Sequence, residues 1–425
     1  MKFVNPNTLK LKPSATLMIN EQIMKLRASG KKVFHFGFGQ SPFGVHPKIS
    51  EALKAHATST QYLPSLGLPE LRANIATYLN NHQHVQAKKE HILIGPGSKE
   101  LIYQSILLLD GTYIIPRGSW VSYLPQVKLA NKKYVLLQTS FHENYKLQAK
   151  DLDAFCKSSE AGQYFLLLNS PNNPTGAIYS EDELQDIATI CAKFGIIVFS
   201  DEIYSQLSYQ LDHAPSIASY YPENTLVFGG MSKVFAAGGY RLGFVSIPEN
   251  LKSLIPIYES MFSETFSAVS APVQYAALEA YRYENVIQKT VRDSAIILKA
   301  IASFTYDFLC ELKIKCTKPQ GGFYMLIDFG NYAEALGELN LEDSVTLSRF
   351  LLEEYQVALL PGTDFYFPPQ ELIFRLAFVD FDGRKALQFY QSNEKVQLDY
   401  KFIQNFAPNV FEGLNRINKF VATLK

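Results

Sequence analysis

The sequence predicts an α/β protein with a large domain on a parallel sheet and at least one smaller domain. Three observations carry this. The chain has 425 residues, more than one ordinary core accommodates. Short apolar runs alternate with helical patterns, as repeated strand and helix units require. Three consecutive runs end close to Asn173, Asp201 and Lys233, and strand ends are where an open α/β sheet collects its chemistry.

The elements follow in order. Apolar spacing predicts a helix over 17–26, and a short strand over 33–36 enters the glycine-rich loop 37–44, which holds Gly39. A helix over 47–57 starts on Pro47, and Pro69 with Glu70 opens another through residue 79. The strand 91–94 runs into Gly95-Pro96-Gly97-Ser98-Lys99 and an apolar helix over 101–109. Such a junction leaves backbone amides free for an anion. It lacks the Walker ending and is not GxGxxG, which disfavours a nucleotide. A strand over 113–116 precedes Trp120, the only tryptophan, and 134–137 continues the alternation. The strand 164–168 then enters a bend rich in turn formers, 169–176, followed by a helix whose Ser180 and Glu183 form a capping box. The strand 196–199 delivers Ser200-Asp201-Glu202-Ile203-Tyr204, and 226–228 breaks at Gly229-Gly230 just before Met231-Ser232-Lys233. A long helical region over 271–312, strands over 319–327, 357–362 and 374–378, and a terminal helix over 402–424 complete the chain.

Composition narrows the function. The chain is 47% hydrophobic and 19% charged, as in a soluble globular protein, and its 40 basic residues balance 40 acidic ones. No broad surface for a polyanion is expected, so nucleic acid is disfavoured. No run approaches the roughly 18 apolar residues that span a bilayer, and residues 1–32 lack the apolar core of a signal peptide. The four cysteines have no paired spacing, favouring a reducing compartment and a cytoplasmic location, and no metal site is expected.

On its own segment, Lys233 reads equally as a solvated surface lysine or as a Schiff-base amine, with Ser232 beside it and Arg241 eight residues on. Taken together, the motifs resemble the class I/II aminotransferases of the fold type I pyridoxal-phosphate enzymes. They are Tyr62 with Gly67 to Arg72, Gly97-Ser98-Lys99, Trp120 to Tyr123, Asn169 to Gly176, Asp201 to Tyr204, Ser232-Lys233 with Arg241, and Arg375, in family order over most of the chain.

The resemblance implies a mixed, mostly parallel sheet flanked by helices, plus a smaller α/β domain built from both termini. The divisions are 1–45, 46–290 and 291–425. It implies pyridoxal 5′-phosphate held by Lys233, with Asp201 on the ring nitrogen and Asn173 and Tyr204 on the ring hydroxyl. Trp120 would stack on the ring, and Gly97, Ser98, Lys99, Ser232 and Arg241 would cup the phosphate. Lys233 would then move the substrate proton. Tyr62 would reach the neighbouring site of a homodimer, while Arg375, with Asn173 and Gly39, would bind the substrate carboxylate. The implied reaction is ping-pong amino transfer from an L-amino acid to a 2-oxo acid. A carbon–sulfur β-lyase on the same scaffold, or a non-catalytic sensor, is the alternative. Two stretches depart from the family pattern: Gly39-Gln40-Ser41-Pro42-Phe43 where relatives have Gly-Glu-Pro-Asp-Phe, and Ala237-Gly238-Gly239-Tyr240-Arg241 where many have Met-Thr-Gly-Trp-Arg. Both border the substrate side, where nearby aromatics lean toward an apolar or aromatic donor.

Overall fold

Strands β2 (Ile92–Gly95), β3 (Thr112–Pro116), β4 (Lys133–Leu137), β5 (Tyr164–Asn169), β6 (Ile197–Asp201), β7 (Thr225–Gly230) and β8 (Gly243–Ser246) form one sheet in the order β2-β8-β7-β6-β5-β3-β4. These assignments come from a computed structural model that describes residues 15–393 and 396–424. The earlier strand β1 (Phe34–His35) lies outside this sheet. Pairing is parallel from β4 through β7, and only β8 runs against its neighbours.

Both faces of the sheet are covered, which is why its strands read as unbroken apolar runs. Phe165 and Leu167 of β5 pack with Phe199 and Phe228 against Leu101, Ile102, Tyr258 and Phe262. The alternate residues Leu166 and Leu168 pack with Val198 against Leu152, Leu184 and Ile187. Each fully buried side chain of this kind contributes about 2 kcal/mol. The capping box of Glu181–Phe194 forms as the sequence expects. The Ser180 hydroxyl accepts the Glu183 amide at 3.2 Å, and the Glu183 carboxylate accepts the Ser180 amide at 2.8 Å. Gly195 ends that helix in the left-handed conformation.

A second sheet is antiparallel, in the order β12-β13-β10-β9, from β9 (Lys315–Cys316), β10 (Tyr324–Asp328), β12 (Leu360–Pro361) and β13 (Ile373–Ala377). Strand β11 (Val357–Ala358) pairs in parallel with β1. Gly413, in the helix Pro408–Ala422, packs so tightly on this region that a Cβ there would lie 2.5 Å from the Phe36 ring.

Two helical expectations need correction. The region 271–312 is two helices, Ala271–Arg282 and Asn285–Glu311, because Tyr283 turns left-handed at φ 48°. Its buried ring meets Tyr78 edge-on at 5.0 Å, and its hydroxyl donates to Gln206 at 3.2 Å. The expected terminal helix is likewise two, Tyr400–Phe406 and Pro408–Ala422, since Pro408 disfavours helical backbone at Ala407. Among the described residues no helix is long and apolar enough to cross a membrane.

Candidate active site

The adjacent parallel strands β5, β6 and β7 open their carboxyl ends on the same side. Asp201 is the last residue of β6, while Asn173 and Lys233 lie in the loops just beyond β5 and β7. Asn169 ties two of these ends together: its Nδ2 donates to the Asp201 carbonyl at 2.7 Å, and its Oδ1 accepts the Asn173 amide at 2.8 Å. All three predicted residues line one cavity of about 600 Å³.

Lys233 faces this cavity half-buried, and its Nζ donates to the carbonyl oxygen of Gly39 at 2.7 Å. The ammonium also lies 5.5 Å from the Phe323 ring centre and 5.7 Å from that of Tyr204. Enclosure of the charge, with Arg375 and Lys99 adding repulsion, lowers the Lys233 pKa to about 7, although Asp201 opposes the shift. Burial raises the Asp201 pKa to about 6. The Tyr123 hydroxyl resists that rise by donating to Asp201 Oδ2 at 2.8 Å. A neutral amine and an ionised carboxylate are therefore both accessible near neutral pH.

Arg375 comes from β13 of the second sheet and is only 2% exposed. Its Nη1 donates to Asn173 Oδ1 at 3.1 Å and its Nη2 to the Gly37 carbonyl at 2.5 Å. Nε has no partner among the described residues. The guanidinium lies 4.6 Å from the Tyr324 ring centre, and the Tyr324 and Tyr204 hydroxyls share a hydrogen bond at 3.0 Å. The neighbouring loop fits closely here, because a Cβ on Gly39 would overlap the Tyr324 hydroxyl.

The opposite end of the cavity begins at Gly97, φ +100°, which precedes the helix Ser98–Leu108 without offering it a side-chain cap. Arg241, itself left-handed at φ 53°, donates to the Gly238 carbonyl at 2.9 Å and the Pro96 carbonyl at 3.3 Å, and it reaches the Ser232 hydroxyl at 3.5 Å. A Cβ at Gly97 would stand 2.4 Å from Arg241 Nη2. The Lys99 ammonium lies 5.1 Å from the Trp120 ring centre.

Gly39, Ser98, Lys99, Trp120, Ser232 and Arg241 thus share the cavity with Asn173, Asp201, Tyr204, Lys233 and Arg375. Gly97 backs this space without lining it, and Tyr62 lies outside it, 92% exposed. Sequence reasoning missed two neighbours. Tyr123 registered as a motif member and a nearby aromatic with no role of its own, and Tyr324 only as a strand residue, since their hydroxyl partners come from distant elements.

This sheet, with a carboxylate and a lysine at adjacent strand ends and an uncapped helix start facing them, is the fold type I architecture of the pyridoxal-phosphate enzymes. The chain belongs to the aminotransferase class I and II family, whose pattern matches residues 31–381. It is 34% identical over 367 residues to a probable aspartate/prephenate aminotransferase of Aquifex aeolicus, covering 84% of this chain and 90% of that one. To the aspartate aminotransferase of Bacillus subtilis it is 32% identical over 368 residues, again covering 84% and 90%. The solved structure of Thermus thermophilus aspartate aminotransferase with maleate superimposes with a TM-score of 0.84 at 26% identity, covering 99% of this chain and all of that one. The protein is accordingly an aminotransferase, moving an amino group between an amino acid and an oxo acid.

Proposed function

We propose that the cavity binds pyridoxal 5′-phosphate and that the enzyme moves the amino group of an acidic L-amino acid, aspartate or glutamate, to a 2-oxo acid in a ping-pong cycle. One observation carries this reading. Besides the Lys233 amine, three cationic side chains, Lys99, Arg241 and Arg375, line the cavity against a single carboxylate, Asp201. They offer one cation each to a phosphate and two substrate carboxylates. The names of the relatives, a probable aspartate/prephenate aminotransferase in Aquifex and an aspartate aminotransferase in Bacillus, support the same donor class.

The donor set fits the cofactor. The cradle that a Cβ at Gly97 would fill, the helix start at Ser98, the Ser232 hydroxyl and the Arg241 guanidinium suit a phosphate. Bound there, pyridoxal phosphate supplies an electrophilic carbon and a protonated ring that takes up the electron pair left at Cα. Lys233, with its lowered pKa, provides the neutral amine that attaches it. Lys233 Nζ would be the base that accepts the proton from the substrate Cα and holds it for return to the product. Asp201 would keep the cofactor's ring nitrogen protonated, and Trp120 would pack against the ring.

Asn173 already gives its Oδ1 to Arg375, so its Nδ2 remains for the ring hydroxyl, with Tyr204 as the second donor. Arg375 orients the α-carboxylate through its planar fork, assisted by the backbone at Gly39. The Lys99 amide serves the phosphate beside Ser98, and its ammonium is left for the second substrate carboxylate. Among the described residues no acidic side chain pairs with that ammonium within 4 Å. Tyr62, exposed here, completes the phosphate cup of a second copy in a homodimer.

The test is a half-reaction between holoenzyme and a panel of all standard amino acids, following the bound cofactor's visible absorbance and the oxo acid formed. Aspartate or glutamate is expected to convert the cofactor at least about tenfold more efficiently than leucine or phenylalanine. Preference for the apolar donors would overturn the donor class, and no conversion by any donor would overturn the cofactor cycle itself.

A further inference from the structure

Tyr366 holds its backbone in the left-handed region, at φ 73° and ψ 20°, where a residue with a Cβ is strained and glycine is not. Its hydroxyl accounts for a tyrosine there. It donates to the Trp120 carbonyl at 2.6 Å and accepts the Leu124 amide at 3.2 Å, bridging both ends of one turn. The neighbouring residues join the same two segments. The Gly118 amide donates to the Phe365 carbonyl at 2.9 Å, and Arg117 pairs with Glu371 at 2.8 Å while lying 5.1 Å from the Phe367 ring centre. Residues 117–124 are thus fastened to the segment that leads into β13 and Arg375. The fastened turn carries Trp120, which faces the cavity, and Tyr123, which is 1% exposed and donates to Asp201.

We propose that Tyr366 is a positioning residue: its hydroxyl fixes the 120–124 turn and thereby sets Trp120 over the cofactor ring and Tyr123 on Asp201. The inference rests on the reading of Trp120 and Asp201 as cofactor contacts. The strained backbone roots the one side chain that bonds both ends of the turn, Trp120 and Leu124.

The test uses holoenzyme carrying Tyr366→Phe, which removes only the hydroxyl, and Tyr366→Gly, which also relieves the backbone. Both are expected to speed cofactor dissociation about fivefold and to lower kcat by a similar factor, with the donor KM unchanged. Both also displace the pH midpoint of the bound cofactor's visible absorbance in the direction given by Tyr123→Phe. In a Tyr123→Phe background, Tyr366→Phe moves that midpoint no further, because it acts there through Tyr123. Wild-type dissociation, kcat and midpoint in both Tyr366 variants would overturn the proposal, as would a full additional midpoint shift in the double variant. Lys233→Ala keeps the two readings apart. If it loses covalent cofactor while the Tyr366 variants are silent, only the positioning role of Tyr366 fails; if it keeps covalent cofactor, the site reading fails.

Discussion

Lys233 Nζ and the carbonyl oxygen of Gly39 stand 2.7 Å apart although 194 residues separate them in the chain, so a loop of the first forty residues holds the amine beyond β7. That amine is enclosed beside Arg375 and Lys99, and its pKa falls from 10.5 to about 7. Cofactor attachment to apo enzyme should rise with pH through about 7 and level off above it, as stopped-flow absorbance would record. The same shift has a stability consequence. Between about pH 7 and 10.5 the unfolded lysine holds a proton that the folded one has released. The stability contributed by this group therefore rises with pH across that window and is lowest below it. Lys233→Met should lower turnover by about 10⁴-fold or more, yet stabilise the apo protein at pH 7 by about 1 kcal/mol in urea unfolding. An apo Lys233→Met protein less stable than wild type at pH 7 would contradict the burial argument.

Asp201 shows the converse. Burial lifts its pKa from 3.8 to about 6, so the folded protein binds the extra proton between those values. Its contribution to stability is then present at low pH and is lost as pH rises through that window. Asp201→Asn should leave the protein at least as stable as wild type at pH 7.5 while lowering kcat by roughly 10³-fold. Thermal unfolding beside steady-state rates would separate the two effects, and a large loss of stability would contradict the account.

What the sequence made legible was local. Asn173, Asp201 and Lys233 each follow an apolar run that ends in small or turn-forming residues, and the Ser180 to Glu183 cap is written in four consecutive positions. What it hid was nonlocal. Tyr123 meets Asp201 across 78 residues, Tyr204 meets Tyr324 across 120, and Tyr366 meets Trp120 across 246. No periodicity encodes such pairs, because tertiary packing alone brings their hydroxyls together. The break at Tyr283 was hidden for a related reason: a tyrosine carries no turn signal, and its left-handed backbone is held by contacts with Tyr78 and Gln206.

Arg375 offers a test of geometry over charge. Its two Nη atoms hold Asn173 and Gly37 from a fully enclosed position. Lysine keeps the positive charge but loses the planar fork. Arg375→Lys should raise the donor KM by about 100-fold, equivalent to nearly 3 kcal/mol, with a smaller effect on cofactor affinity. Equal losses in both would mean that the residue supports the cofactor rather than the substrate carboxylate.

Gly97 tests the other end of the cavity. Its φ of +100° and the 2.4 Å approach of Arg241 Nη2 leave no room for a Cβ. Gly97→Ala should cost about 1–3 kcal/mol in backbone strain and displace Arg241, weakening cofactor binding by at least about tenfold. Equilibrium dialysis against added pyridoxal phosphate would read this directly, and unchanged affinity would detach Gly97 from the phosphate cup.

Tyr62 is 92% exposed in the single chain, where such an aromatic side chain finds no packing. The proposed homodimer gives it a role that hybrid dimers can isolate. In a hybrid of a Lys233→Ala chain with a Tyr62→Phe chain, the only site able to attach cofactor covalently belongs to the Tyr62→Phe chain. If Tyr62 crosses the interface, that site receives an intact tyrosine from the Lys233→Ala chain and should bind cofactor as wild type does. The Tyr62→Phe homodimer should bind it at least about tenfold more weakly, for loss of one hydrogen bond to a charged group. A hybrid site that behaves like the Tyr62→Phe homodimer would place the tyrosine in its own subunit's site or in none.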